Sequence, residues 1–123
     1  MIYKVTYSEE ALDDFRRIGA AVFEASKSRE ITLKYQKDLF EAIEKKQLFP
    51  LSGTPLFFDD FFTGFYFVHF KAYNAFYTVV EDVVEVVRIL PSKSDYMKVL
   101  FGENYEQTSI QDKPDYLNET PNE

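Results

Sequence analysis

The chain has 123 residues, no cysteine, 18% aromatics (13 Phe, 9 Tyr, no Trp) and a net charge of −7 from 14 bases against 21 acids. That length supports one core and not two, and the acidity excludes a general nucleic-acid coat, which needs surplus cations against phosphate. The absence of cysteine excludes a disulfide scaffold and a zinc finger while leaving the redox compartment open, and no apolar run approaches the ~18 residues of a membrane span.

Met1-Ile2-Tyr3-Lys4 does not read as a signal peptide, so a cytoplasmic domain is expected. Tyr3, Val5 and Tyr7 alternate with Ile2, Lys4 and Thr6 as a short strand does. Ser8 then stands where an N-cap belongs, with Glu9 and Glu10 at the positive end of a helix dipole. Ala11, Phe15, Ile18 and Val22 recur at helical spacing, while Asp13, Asp14, Arg16 and Arg17 read as the polar side, with Asp13 and Arg17 placed to pair at i,i+4. After a break near Ala25–Ser28, Ser28 caps a second expected helix from Arg29 to about Leu48. Its apolar face is Ile31, Tyr35, Leu39, Ala42 and Ile43, and Pro50 ends it. Two such helices joined by a very short turn make an αα-hairpin.

Residues 51–63 read as a connection holding Gly53, Pro55 and the run Leu56-Phe57-Phe58-Asp59-Asp60-Phe61-Phe62. Four Phe around two Asp are either a plug over the sheet and helices or an exposed patch that a partner covers. Three strands follow, at 65–71, 74–80 and 83–90, with short links at Ala72-Tyr73 and Glu81-Asp82 that imply antiparallel hairpins. The last of them is apolar on both faces apart from Glu85 and Arg88, as a central strand is. Ser94–Phe101 suits a final helical turn that Gly102 stops. The order is β-α-α-β-β-β, an α+β fold with an N-terminal strand and helical hairpin packed on an antiparallel sheet. Spacing alone does not say which strand the first one joins. A first domain spans 1–102 and carries −2; residues 103–123 carry −5, hold Pro114 and Pro121, and read as a flexible tail.

His69 is the only histidine, and with no cysteine and no Gly-rich loop no metal or cofactor site is expected. A more informative cluster is Arg88 followed by Lys93, Asp95, Tyr96 and Lys98, with Lys71 and Tyr77 on the neighbouring hairpin. Arg, Lys and Tyr gathered at a sheet end suit phosphate binding or acid–base work on a ribose hydroxyl. The structural alternative is an ion pair from Arg88 to Asp95 or Glu85.

Three segments carry a resemblance: Tyr3-Lys4-Val5-Thr6-Tyr7-Ser8-Glu9-Glu10-Ala11-Leu12-Asp13-Asp14-Phe15, Tyr73-Asn74-Ala75-Phe76-Tyr77-Thr78-Val79, and Val86-Val87-Arg88-Ile89-Leu90-Pro91-Ser92-Lys93-Ser94-Asp95-Tyr96. In this order, over roughly residues 1–102, the chain resembles the RelE/ParE superfamily, the toxin half of type II toxin–antitoxin pairs. The resemblance implies the same fold, growth inhibition, a role in plasmid stabilisation, and a cognate antitoxin that wraps a helix or strand around the toxin. It implies DNA gyrase or the ribosome as target, with no membrane partner and no specific DNA binding by the chain alone. The chain departs from relatives at Tyr66 and Asn74, where they carry Arg, and at Pro91 and Lys93-Ser94, where many carry His and paired Arg; Arg88, Lys93, Asp95 and Tyr96 match. Each charge-stabilising group missing at a cleavage site is worth ~2–4 kcal/mol, so the thinned basic set favours a ParE-like binder. The alternatives are a RelE-like ribosome-dependent mRNA endoribonuclease and a catalytically inactive antitoxin-binding member. If the chain is an enzyme, the catalytic candidates are Arg88, Lys93, Tyr77 and Tyr96. The binding candidates are Lys71, Asp95, Phe57, Phe58, Phe61 and Phe62.

Overall fold

The computed structural model describes residues 2–102, and the acidic tail read over 103–123 lies outside the described residues. Strand β1 (Lys4–Tyr7) leads into helices α1 (Glu9–Ser26) and α2 (Arg29–Glu44). Strands β2 (Thr54–Phe58), β3 (Phe61–Phe70), β4 (Tyr73–Val80) and β5 (Val83–Pro91) follow, then the short helix α3 (Tyr96–Phe101). The five strands form one sheet in the order β1-β5-β4-β3-β2, antiparallel except where β1 joins β5 in parallel. β5 is therefore an interior strand, flanked by β1 and β4, as its two-sided apolar pattern predicts.

Both caps form as their residue types require. The Ser8 hydroxyl accepts from the Ala11 N–H (3.0 Å) and also donates to the Val87 carbonyl (2.8 Å), so one side chain starts α1 and ties it to β5. Ser28 accepts from the Ile31 N–H at 3.1 Å, and Lys27 makes the left-handed break between the helices at φ 55°. α2 is shorter than its periodicity predicts. It ends at Glu44 and tightens into a 3₁₀ turn at Lys45–Gln47, and Pro50 opens a further turn, Pro50–Ser52, where the sequence suggested only a stop.

The larger difference lies at 51–63. This segment is mostly an edge hairpin, β2–β3, and not a connection. The Phe-Phe-Asp-Asp-Phe-Phe run folds about its own centre, pairing Phe57 with Phe62 and Phe58 with Phe61, while Asp59 takes the left-handed turn position (φ 54°) that Asp tolerates. A bulge between Pro55 and Phe57 is closed by the Thr63 hydroxyl, which donates to the Leu56 carbonyl at 2.8 Å. The next turn is Lys71-Ala72, one residue earlier than expected, because Phe70 pairs with Tyr73.

One sheet face packs on the helical hairpin. Ala11, Ile18, Leu39 and Ile43 meet Ala75, Tyr77, Val84, Val86 and Ile89 there, all essentially buried. Each fully buried aliphatic side chain contributes about 1.5–3 kcal/mol. The other face carries a smaller cluster of Leu56, Phe76 and Leu90, covered by α3 through Tyr96, Met97 and Leu100. A bulge leaves Val87 extra between Val86, paired with Tyr77, and Arg88, paired with Phe76. It resets the alternation, so that Val84, Val86 and Ile89 share the helix-facing side.

Candidate functional site

Arg88 stands at the β5 bulge, where the strand passes under α1. Its Nε donates to Asp14 Oδ2 at 2.7 Å and its Nη2 to Asp14 Oδ1 at 3.0 Å, a two-pronged contact across the α1–β5 junction. The same carboxylate accepts from the Ile89 N–H (2.9 Å) and from Arg17 Nη2 (2.8 Å). Asp14 is only 4% exposed. Burial alone would push its carboxyl up. The hydrogen bonds from Arg88, Ile89 and Arg17 outweigh that and hold it below the usual carboxylate range, while Asp14 raises the Arg88 guanidinium in turn. The partner of Arg88 is thus neither Asp95 nor Glu85. Arg17 pairs with Asp14 at i,i+3 and Arg16 with Asp13, in place of the expected Asp13–Arg17 pair.

Asp14, Arg17 and Arg88 line one end of a cleft of about 410 Å³ whose other walls include Ile18, Ala21, Tyr73 and Leu90. Ala21 and Tyr73 also line an adjoining hollow of about 370 Å³ that runs on past Ala25 to Tyr35 and Ala72. At that end Lys71 sits in the turn with its ammonium 5.8 Å from the Tyr35 ring and 5.5 Å from the Phe70 ring, a cation–π arrangement. The Ser92 N–H donates to the Ala72 carbonyl at 2.8 Å, which sets the turn carrying exposed Lys93 beside the Lys71 turn. Lys71 and Lys93 therefore lie at one end of the sheet, while Arg88 stands farther along β5, opposite Phe76. Asp95 is nearby as the N-cap of α3, accepting from the Lys98 N–H.

The two tyrosines do not join them. Tyr77 is buried in mid-strand, where its hydroxyl donates to the Pro50 carbonyl at 2.5 Å and accepts from the Gly53 N–H at 3.1 Å. Burial there pushes its pKa up to about 12. Tyr96 lies on the opposite sheet face with its ring 5.0 Å from that of Phe76. His69 contacts Asn74 across the strands, Nδ1 to Oδ1 at 2.8 Å. Among the described residues no three His, Cys, Asp or Glu come together to hold a metal, and no helix is long and apolar enough to cross a membrane. The four hairpin Phe form an edge feature away from this cleft. The Phe57 and Phe62 rings meet at 5.7 Å, Phe62 meets Tyr66 at 5.2 Å, and Phe58 and Phe61 flank the Asp turn.

The sequence model described as the ParE toxin of type II toxin–antitoxin systems, parDE, matches residues 5–96. The chain belongs to this family. Solved structures with the same fold include the chromosomal ParDE toxin–antitoxin system of P. aeruginosa (TM-score 0.61, 16% identity, 73% of this chain and 96% of that one). A mutant of the E. coli toxin RelE in the free state gives a TM-score of 0.57 at 16% identity, over 80% of this chain and 93% of that one. The RelBE2 toxin–antitoxin complex of Mycobacterium tuberculosis gives 0.51 at 17% identity, over 74% and 99%. No curated protein matches the sequence. In this ParE-family chain three of the positions read from the sequence as departures fill structural places. Tyr66 stacks on Tyr77 at 5.7 Å, Asn74 is buried against His69, and Pro91 closes β5 opposite Tyr73.

The sequence reading missed Asp14, Arg17, Tyr35 and Tyr73. For Asp14 a signal was present. Positions 11, 14, 15 and 18 follow the i, i+3, i+4, i+7 spacing of a buried stripe, so an acid at 14 stands inside the apolar face and needs a partner.

Proposed function

We propose that this ParE-family toxin acts by gripping a protein target, with a type II topoisomerase such as DNA gyrase the first candidate, and that a cognate antitoxin neutralises it. The observation that carries this reading is the engagement of Arg88 by Asp14. A guanidinium already matched to a buried carboxylate has little surplus charge to offer a phosphate. Tyr77, with its hydroxyl bonded on both sides and its pKa raised to about 12, is poorly suited to pass protons near neutrality. What remains is a mostly apolar cleft with Arg17 in its lining and Lys71 and Lys93 on turns at the sheet end, which suits a protein surface better than a scissile RNA strand.

A second reading, ribosome-dependent mRNA cleavage, is favoured by Lys71 and Lys93 meeting at that end as phosphate binders, although neither Tyr77 nor Tyr96 joins them. Inducing the chain alone, with growth, nucleoid shape and protein synthesis followed together, separates the two. Growth arrest with abnormal nucleoids and continuing protein synthesis, relieved by co-expressing a cognate antitoxin, is expected. Prompt arrest of protein synthesis with cut mRNA overturns the proposal in favour of cleavage. Unimpaired growth at high expression points instead to an inactive, antitoxin-binding member.

A further inference from the structure

Among the described residues β2 is an outer strand of the sheet and pairs with β3 alone. The opposite edge is partly covered. The Tyr3 N–H bonds to the Gln47 carbonyl, and the Tyr7 hydroxyl donates to Glu44. Around β2 the chain carries no charge from Gln47 to Phe58, although 28% of its residues are charged. That stretch also exposes large side chains: Phe49 (69%), Leu51 (63%), Leu48 (58%) and Phe57 (51%). Charge depletion with aromatic enrichment marks the centre of an interface. An apolar edge strand is also an open template for pairing, which proteins otherwise blunt. The two-residue turn makes Phe58–Phe61 the bonded pair that closes the hairpin, so Phe57 turns its backbone N–H and C=O outward.

We infer that this edge receives the same edge of a second copy of the chain, β2 against β2 in antiparallel fashion. Charge placement selects that occupant. Antiparallel pairing runs the Leu51–Gly53 end of one copy past the Asp59-Asp60 turn of the other. At the first of these ends stands Lys46, its ammonium held on the Ser52 hydroxyl at 2.8 Å, and at the second are two exposed acids. A two-fold axis makes this match twice and brings Leu51 and Phe49 of each copy against the Phe57–Phe62 pair of the other. Among the described residues each copy has one such edge, so association stops at two. Pro55 offers a carbonyl but no N–H, so side chains and the two charge matches carry more of the contact than the backbone ladder does. The surface lies apart from the Arg88 cleft, and the inference stands whether or not the target proposed above is correct.

Sedimentation velocity of the full-length chain over a rising concentration series tests it. A monomer–dimer equilibrium is expected, and Phe57→Asp and Phe49→Asp should each weaken it at least tenfold with an unchanged circular dichroism spectrum. Lys46→Glu and Asp60→Lys should each weaken it as well, and the double variant should recover most of the loss, which no local folding defect would do. A monomer at the highest soluble concentration overturns the inference. So does a dimer that both Asp variants leave intact, or an edge that becomes protected only when a different protein is added.

Discussion

Asp14 accepts four hydrogen bonds while almost wholly buried, and each of its donors comes from a place that must hold position: α1 itself, the β5 backbone and the Arg88 side chain. Asp14→Ala leaves Arg88 and the Ile89 N–H facing a gap, and it should lower unfolding free energy by about 3 kcal/mol in a denaturant titration. Because the folded state depresses this pKa, the stability that Asp14 contributes is complete above the unfolded value of about 3.9 and is lost as pH falls through the folded value. Below about pH 4 the wild type should therefore lose stability more steeply than Asp14→Asn does, and parallel slopes would contradict the assignment. Tyr77→Phe removes the hydroxyl that satisfies both the Pro50 carbonyl and the Gly53 N–H. It should cost about 1–2 kcal/mol and loosen the 50–53 turn, visible as faster amide exchange at Gly53.

Among the elements, the helices and the caps were legible because their signals are local. Ser8 and Ser28 each sit three residues before apolar periodicity begins, at Ala11 and Ile31, and the structure places a cap at each. Ser8 adds a contact that no local pattern contains, its donation to the Val87 carbonyl. Ser8→Ala should therefore cost about 1–2 kcal/mol, more than a simple cap substitution, and thermal denaturation checks it. β2 was hidden for a physical reason. Gly53 and Pro55 look like loop residues, yet Gly53 is there because a side chain would meet the Tyr77 hydroxyl at 2.3 Å, and Pro55 is tolerated because the strand is an edge. The β5 bulge was equally hidden, since Val86 and Val87 at the slip are both apolar and suit either face.

For the molecule as a whole, the β-α-α-β-β-β frame and the family were readable, and the chemistry of the site was readable only in part. Lys71 and Lys93 meet at a sheet end, whereas Arg88 stands inside β5 opposite Phe76, and the residue that decides what Arg88 can do comes from 74 positions earlier, on a helix. A contact so distant in sequence is invisible to spacing, and so is the turning of Tyr77 into the core. The resulting picture is a ParE-family toxin whose Arg88 is neutralised from within, and the proposal that it binds a protein rather than cuts RNA rests on that. The most direct measurement puts the purified chain in two reactions at matched concentration, DNA supercoiling by gyrase and translation of a defined mRNA on ribosomes. Inhibited supercoiling with intact mRNA and undiminished translation is the predicted result. Ribosome-dependent cleavage that disappears in Lys93→Ala and Arg88→Ala, with supercoiling untouched, would contradict it.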